Sequence, residues 1–135
     1  DIYRRIAALR TSEGAQELLD ELIDRYGEPP QPVLKLMDVA LLRAEAVQSG
    51  ICDITQRGGE IVFTFAAGES MPVEAVMALC IQAKNKRRLT LSATGTEPKL
   101  TLRLAPDEDA LESALTLVED LRVNKEENEK EVTSC

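Results

Sequence analysis

Apolar residues recur at helical spacing, with short polar breaks, through the first half of the chain. Ile2, Ile6 and Leu9 predict a short opening helix that ends before Thr11 and Ser12. Either of these two hydroxyl residues can cap a second helix, which we expect to run to Tyr26. Its predicted buried stripe consists of Leu18, Leu19, Leu22 and Tyr26, with Ile23 at its side.

A glycine and two prolines interrupt the helical pattern after the second helix. Gly27 can adopt the left-handed conformation that ends a helix, and Pro29 and Pro30 cannot continue one. The pattern then predicts a third helix from about Gln31 to Ser49, which Gly50 ends and which we expect to be the most buried. Its predicted apolar face consists of Val33, Leu36, Met37, Ala40, Ala44 and Val47, widened by Leu41 and Leu42.

Two strand pairs separated by a helix are predicted in the second half. The first pair is Ile51–Gln56 and Glu60–Ala66, joined through Arg57-Gly58-Gly59, and the second is Arg88–Ala93 and Lys99–Leu104. Between the pairs, Ser70-Met71-Pro72 opens a fourth helix. We expect burial of Ile61, Phe63 and Phe65 in the first pair, and of Val73, Val76, Met77, Cys80 and Ile81 in the fourth helix.

A final helix is predicted after Pro106, with Asp107 as its N-cap. Its expected apolar stripe is Leu111, Leu115, Val118 and Leu121, with Ala114 between them. The element order is therefore α-α-α-ββ-α-ββ-α, which predicts an α+β fold with an antiparallel sheet of two hairpins covered by helices. We expect residues 1–123 to form a single α+β domain and residues 124–135 to be a polar, disordered tail.

One face of the second helix carries four carboxylates. Glu17, Asp20, Glu21 and Asp24 lie at positions i, i+3, i+4 and i+7, so they share one side of the helix. Like charges at these spacings destabilise a helix by about 0.2–0.5 kcal/mol per pair, so the helix itself does not gain from them. A positively charged partner would gain, and a solvated face in an acidic protein is the simpler alternative.

Composition narrows the chemistry that the chain can perform. The net charge of −8 argues against a phosphate-binding surface, so we expect no direct contact with nucleic acid. No apolar run reaches the roughly 20 residues of a membrane helix and no signal peptide is visible, so we expect a cytoplasmic protein without membrane contact. The three cysteines lack metal-ligand spacing, and we expect Cys52 and Cys80 to be buried as small apolar residues.

The sequence contains no histidine and no phosphate-binding loop, which removes the commonest general base and the commonest nucleotide motif. We therefore predict a domain without enzymatic activity, catalytic residues, metal or cofactor. A hydrolase that uses carboxylates remains an alternative if Asp24, Glu28 and Asp53 converge in the fold. A purely structural domain is the third possibility.

The second helix also carries a family resemblance. Glu-Leu-Ile-Asp-Arg-Tyr-Gly at residues 21–27, followed by Pro29 and Pro30, resembles the C-terminal domain of the bacterial transcription-repair coupling factor. Met37-Asp38-Val39-Ala40-Leu41-Leu42-Arg43 and Gly50-Ile51 support the match. The resemblance is strongest over residues 1–66.

This resemblance implies a regulatory role in an ATP-driven DNA translocase that removes stalled RNA polymerase and recruits excision repair. Such a domain packs against a basic face of an N-terminal module that resembles an excision-repair helicase subunit. It thereby masks the surface that recruits the damage-recognition ATPase, so that ATPase and RNA polymerase are indirect partners. In the family, the Glu and Asp of this motif belong to the contact, which corresponds to Glu21 and Asp24 here.

Overall fold

The helices and strands follow the predicted order α-α-α-ββ-α-ββ-α, which confirms the α+β class. The computed structural model describes residues 2–66, 71–82, 87–92 and 97–133, with side chains through residue 127. The predicted Ser70 helix start and most of the turn at Thr94–Pro98 lie outside these residues. The elements are α1 (Ile2–Ala7), α2 (Ser12–Tyr26), α3 (Gln31–Gln48), β1 (Ile51–Arg57), β2 (Glu60–Phe65), α4 (Val73–Ile81), β3 (Leu89–Ser92), β4 (Lys99–Arg103) and α5 (Ala110–Thr133).

The four strands form one antiparallel sheet in the order β1-β2-β4-β3. The two predicted hairpins are present, and pairing between β2 and β4 joins them, with Phe63 opposite Leu100. Arg57 lies opposite Glu60, so the first hairpin turns on two residues alone. The first of these, Gly58, has φ +55°, a value that favours glycine.

The chain divides into two compact units, residues 1–45 and residues 46–135. In the second unit, alternate apolar residues of β2 and β4 are buried, as the period of a strand requires, and Thr64 of β2 is buried as well. The predicted burial of the two phenylalanines is confirmed, since both are 0% exposed. Helices α4 and α5 pack against each other. The buried apolar residues of the sheet are Ile51, Ile61, Phe63, Phe65, Leu100 and Leu102.

The predicted inner face of α4 is wrong except at Val76. Val73, Met77 and Ile81 are exposed, and Cys80 is half-buried. Eight of the nine residues of α4 are apolar, so the pattern does not distinguish one face from another. The side chains that the fold buries are Ala75, Val76 and Leu79.

Helix α5 begins later and extends further than the sequence predicted. Its cap is Asp109, whose Oδ2 accepts a hydrogen bond from the Glu112 N–H at 2.9 Å, whereas the predicted cap Asp107 lies in the preceding turn. The helical backbone continues to Thr133, past residue 124, where the disordered tail was predicted to begin. The predicted limits of the domain, residues 1–123, stay a prediction. Up to residue 127, the buried residues of this helix are Ala114, Leu117, Val118 and Leu121, so the sequence pattern did not indicate Leu117, and Leu111 and Leu115 are half-buried.

The first unit has its own core, built from α1, α2 and α3. Its buried residues are Ile6, Leu9, Leu18, Leu22 and Met37. The prediction that Tyr26 belongs to the buried stripe is wrong, because its side chain is 71% exposed. Tyr26 is the last residue of α2, where the chain turns away at Gly27.

The predicted apolar face of α3 is also partly wrong. Leu36 and Val47 are exposed, and the buried side runs through Met37, Leu41 and Glu45 at four-residue spacing. Because leucine, valine and alanine occur on several sides of α3, the sequence pattern does not determine which side is buried, and packing decides it. Cys52, predicted to be buried, is exposed beside a bulge between Ile51 and Asp53 in β1.

Candidate partner interface on helix α2

Both ends of α2 are set by local interactions. Thr11 is the N-cap, and its Oγ1 accepts a hydrogen bond from the Gly14 N–H at 3.0 Å. At the other end, the Gly27 N–H donates to the Ile23 carbonyl at 3.0 Å. Gly27 has φ +82° and ψ −172°, a combination that is essentially restricted to glycine, so the predicted helix stop is confirmed.

Two leucines hold the inner side of α2 against the first-unit core. Leu18 and Leu22 are 3% and 5% exposed. On the outer side, Glu17, Asp20 and Asp24 are exposed. We call the four carboxylates Glu17, Asp20, Glu21 and Asp24 the acidic face.

Glu21 of the acidic face has a cationic partner within the first unit. Arg5 of α1 donates from Nη1 to Glu21 Oε2, forming an ion pair at the border between α1 and α2. The hydrogen bond from Arg5 is the main cause that lowers the pKa of Glu21, outweighing partial desolvation. The same bond raises the pKa of Arg5. The acidic face therefore already binds one guanidinium.

The helical pattern did not indicate a role for Arg5, although its position in the chain carried a signal. Arg4 and Arg5 lie in the last turn of α1, immediately before the helix that carries the carboxylates. Asp20 has a neighbour on its own helix, since Gln16 Nε2 donates to its Oδ1 at 2.9 Å. Glu17 and Asp24 lie at the two ends of the acidic face. Both are exposed, as is Asp20.

Two carboxylates outside the acidic face make contacts that the sequence pattern did not indicate. Glu45 is 1% exposed, and Ser12 Oγ lies 3.5 Å from its Oε1 within the first unit. Glu108 accepts hydrogen bonds from the Ala105 N–H at 2.7 Å and from Arg88. The hydrogen bond from the Ala105 N–H is the main cause that lowers the pKa of Glu108, and the bond from Arg88 is the second. The two bonds together stabilise the segment that precedes α5.

The residues of the carboxylate-enzyme alternative occupy ordinary surface positions. Asp24 and Glu28 are exposed, and Asp53 accepts a hydrogen bond from Thr55 Oγ1 at 2.8 Å. No group of three or more histidine, cysteine, aspartate or glutamate residues suited to a metal ion occurs in the part of the chain that the structure describes.

None of the helices within the described ranges is both long enough and apolar enough to cross a membrane.

Comparisons with known proteins identify the family. The chain is 41% identical over 63 residues to the transcription-repair-coupling factor of Escherichia coli strain K12, a match that covers 45% of this chain and 6% of that protein. It is 27% identical over 103 residues to the corresponding factor of Bacillus subtilis strain 168, covering 76% of this chain and 9% of that protein. The chain therefore spans less than a tenth of these relatives.

A solved structure, the C-terminal domain of a transcription-repair coupling factor, has the same fold. It superposes with a TM-score of 0.69 at 22% identity and covers 93% of this chain and 80% of that one. The sequence profile of the TRCF domain matches residues 1–76, which include the acidic face and the first hairpin. The chain belongs to the TRCF domain family.

Proposed function

We propose that this chain is the non-catalytic regulatory C-terminal domain of a transcription-repair coupling factor. Its acidic face packs against a basic surface of an N-terminal excision-repair-like module in the same protein. That contact masks the surface to which the damage-recognition ATPase binds and keeps the protein autoinhibited until the contact opens.

The observation that carries this proposal is the arrangement of α2. Leu18 and Leu22 anchor the helix from behind, so the exposed carboxylates Glu17, Asp20 and Asp24 stand on a rigid support. Rigid support lowers the entropy cost of forming a contact. Like-charged side chains on one face gain free energy when a cationic surface approaches, as the pairing of Glu21 with Arg5 illustrates within the chain.

An electrostatic contact suits a clamp that must open. Charged groups at a wet interface determine specificity and association rate more than affinity, so such a contact remains reversible. Screening also makes it sensitive to ionic strength, because the Debye length falls from about 10 Å at 0.1 M to about 3 Å at 1 M salt.

Charge reversal at the two ends of the acidic face tests the proposal. The chain is titrated with the separately produced N-terminal module, comparing the parent with Glu17→Lys/Asp24→Lys. We expect the variant to bind at least tenfold more weakly, and added salt to weaken the parent far more than the variant. In the full-length protein the same variant should bind the damage-recognition ATPase more tightly.

The matched control is Asp107→Lys/Glu127→Lys, which changes one aspartate and one glutamate at exposed positions outside α2. It makes the same change in net charge and should alter binding less than twofold. Equal losses in both variants would show a general charge effect, and an unchanged affinity in the folded α2 variant would leave the acidic face as solvated surface.

A further inference from the structure

An apolar pocket lies beside Pro29 and Pro30 in the first unit. Its volume is about 190 Å³, and its wall includes Ile2 and Tyr3 of α1, Tyr26 of α2, Pro30, and Val33 of α3. Pockets for small molecules usually measure roughly 300–1,000 Å³, so this one is the size of a single side chain. We call it the tyrosine pocket.

The aromatic residues of the chain are divided between the core and this pocket. The sequence has two phenylalanines, two tyrosines and no tryptophan. Phe63 and Phe65 are 0% exposed, whereas Tyr3 and Tyr26 are 67% and 71% exposed and both line the tyrosine pocket. Exposed tyrosines at one small pocket are typical of an interface, where aromatic residues contribute much of the binding energy.

The single charged residue of the pocket wall indicates which kind of side chain would bind there. Among the described residues that line it, Glu28 alone carries a charge, and the other side chains are apolar or aromatic. An occupant must therefore combine an apolar stem, which packs on Ile2, Pro30 and Val33, with a cationic end near Glu28. We infer that the tyrosine pocket binds an arginine side chain presented by a partner protein.

Arginine fits this lining better than lysine. Its planar guanidinium stacks on tyrosine rings, is less strongly hydrated than an ammonium, and can donate to a carboxylate through two parallel N–H groups. Tyr3 and Tyr26 would supply the rings and Glu28 the carboxylate.

The tyrosine pocket is independent of the contact proposed above for the acidic face. At 100° per residue, Asp24 and Tyr26 are separated by about 200° around the axis of α2. The two sites therefore face different directions from one helix, and each can be removed without the other.

The test is a titration of the isotopically labelled chain followed by backbone amide NMR. The probe is the capped tripeptide acetyl-Gly-Arg-Gly-amide, and the comparison probes replace arginine with citrulline, lysine or leucine. We expect saturable shifts centred on Gly27, Glu28 and Val33 with the arginine probe, and at least fivefold weaker binding of the neutral isostere citrulline.

Variants assign the binding to named groups. Tyr26→Leu should abolish saturable shifts at Gly27 and Val33, and Glu28→Gln should weaken arginine binding at least threefold without affecting the citrulline probe. Because Tyr26 is exposed, its substitution should leave the spectrum of the remaining chain unchanged. Glu17→Gln/Asp24→Asn should leave pocket binding intact, which separates this inference from the proposed clamp.

Four outcomes would overturn the inference. Citrulline binding as tightly as arginine would show that charge has no role, and leucine binding tightest would make the pocket a site for an apolar side chain. Shifts confined to the acidic face, or no saturable shifts with any probe, would show that the pocket does not bind arginine.

Discussion

Helices α2 and α4 differ in how clearly their sequences separate a polar from an apolar side. In the 15 residues of α2, carboxylates and leucines occupy different faces, and the predicted anchors Leu18 and Leu22 are buried. In the nine residues of α4, Glu74 is the sole charged residue, and the predicted inner face was wrong at most positions. The comparison shows that a sequence predicts the orientation of a helix only when polar residues mark its solvent side.

The two helices also leave different exposed surfaces. The exposed face of α2 is acidic, whereas that of α4 includes Val73, Met77 and Ile81 at four-residue spacing. Exposed apolar side chains are normal at the surface of a folded protein, so composition alone does not show which side is buried. Substitutions in the two helices can test this comparison directly.

The largest effect is expected in α4, where burial rather than residue type determines the cost. Leu79 is 0% exposed and Ile81 is 82% exposed, although they are separated by two positions on one helix. We expect Leu79→Ala to lower the free energy of unfolding by about 2–5 kcal/mol. Ile81→Ala should change it by no more than about 0.5 kcal/mol. Urea denaturation of both variants measures the difference, and equal costs would contradict the observed orientation of α4.

A smaller effect is expected where α2 ends. A Cβ at Gly27 would meet no atom within 4 Å, so Gly27→Ala introduces backbone strain without a clash. At φ +82° we expect that strain to cost about 1–3 kcal/mol.

Gly59→Ala is the matched control, because a Cβ there also meets no atom within 4 Å and the residue has no left-handed φ. Thermal unfolding of both variants separates the two cases. If Gly27→Ala is as stable as Gly59→Ala, the left-handed stop of α2 is not required.

The smallest effect concerns the ion pair at the inner edge of the acidic face. Arg5 lowers the folded-state pKa of Glu21, so the pair contributes stability at pH values above the unfolded pKa of about 4.3. That contribution is lost as the pH falls through the lowered folded pKa. We expect Arg5→Gln to raise the Glu21 pKa, measured by carboxyl NMR titration, and to reduce the loss of stability on acidification from pH 7 to pH 3.

Arg4→Gln provides the control for that titration, since it removes the same charge from a neighbouring exposed position. It should leave the Glu21 pKa nearly unchanged. A similar rise in both variants would attribute the shift to the net charge of α1 rather than to the hydrogen bond from Arg5.

The fold was predicted well wherever local signals agreed with each other. Gly27 and Gly50 both have positive φ where helices were expected to end, and the Gly58-Gly59 turn joins two strands near their expected limits. These residues act through backbone conformation, which depends on the residue itself and its immediate neighbours. Errors were concentrated in α3 and α4, where consecutive apolar residues left several orientations equally favourable.

The candidate interface was predicted as a pattern but not as a set of contacts. The sequence places Glu17, Asp20, Glu21 and Asp24 on one side of a helix, because their spacing alone determines that they share a face. It did not indicate that Arg5 would pair with Glu21, since that contact depends on how α1 packs on α2. Nor did it indicate the tyrosine pocket, because Tyr26 was expected in the core.

The sequence by itself determined the order of elements, the ends of α2, the first hairpin turn and the side of α2 that carries the acidic face. Each of these depends on residues within about one turn or one strand of each other, where backbone conformation and periodicity decide the outcome. Only the tertiary structure decided the strand order β1-β2-β4-β3, the buried side of α4 and the partner of Glu21. Those features depend on packing between distant segments, and hydrophobic burial is non-directional, so several arrangements satisfy one apolar pattern until the segments meet.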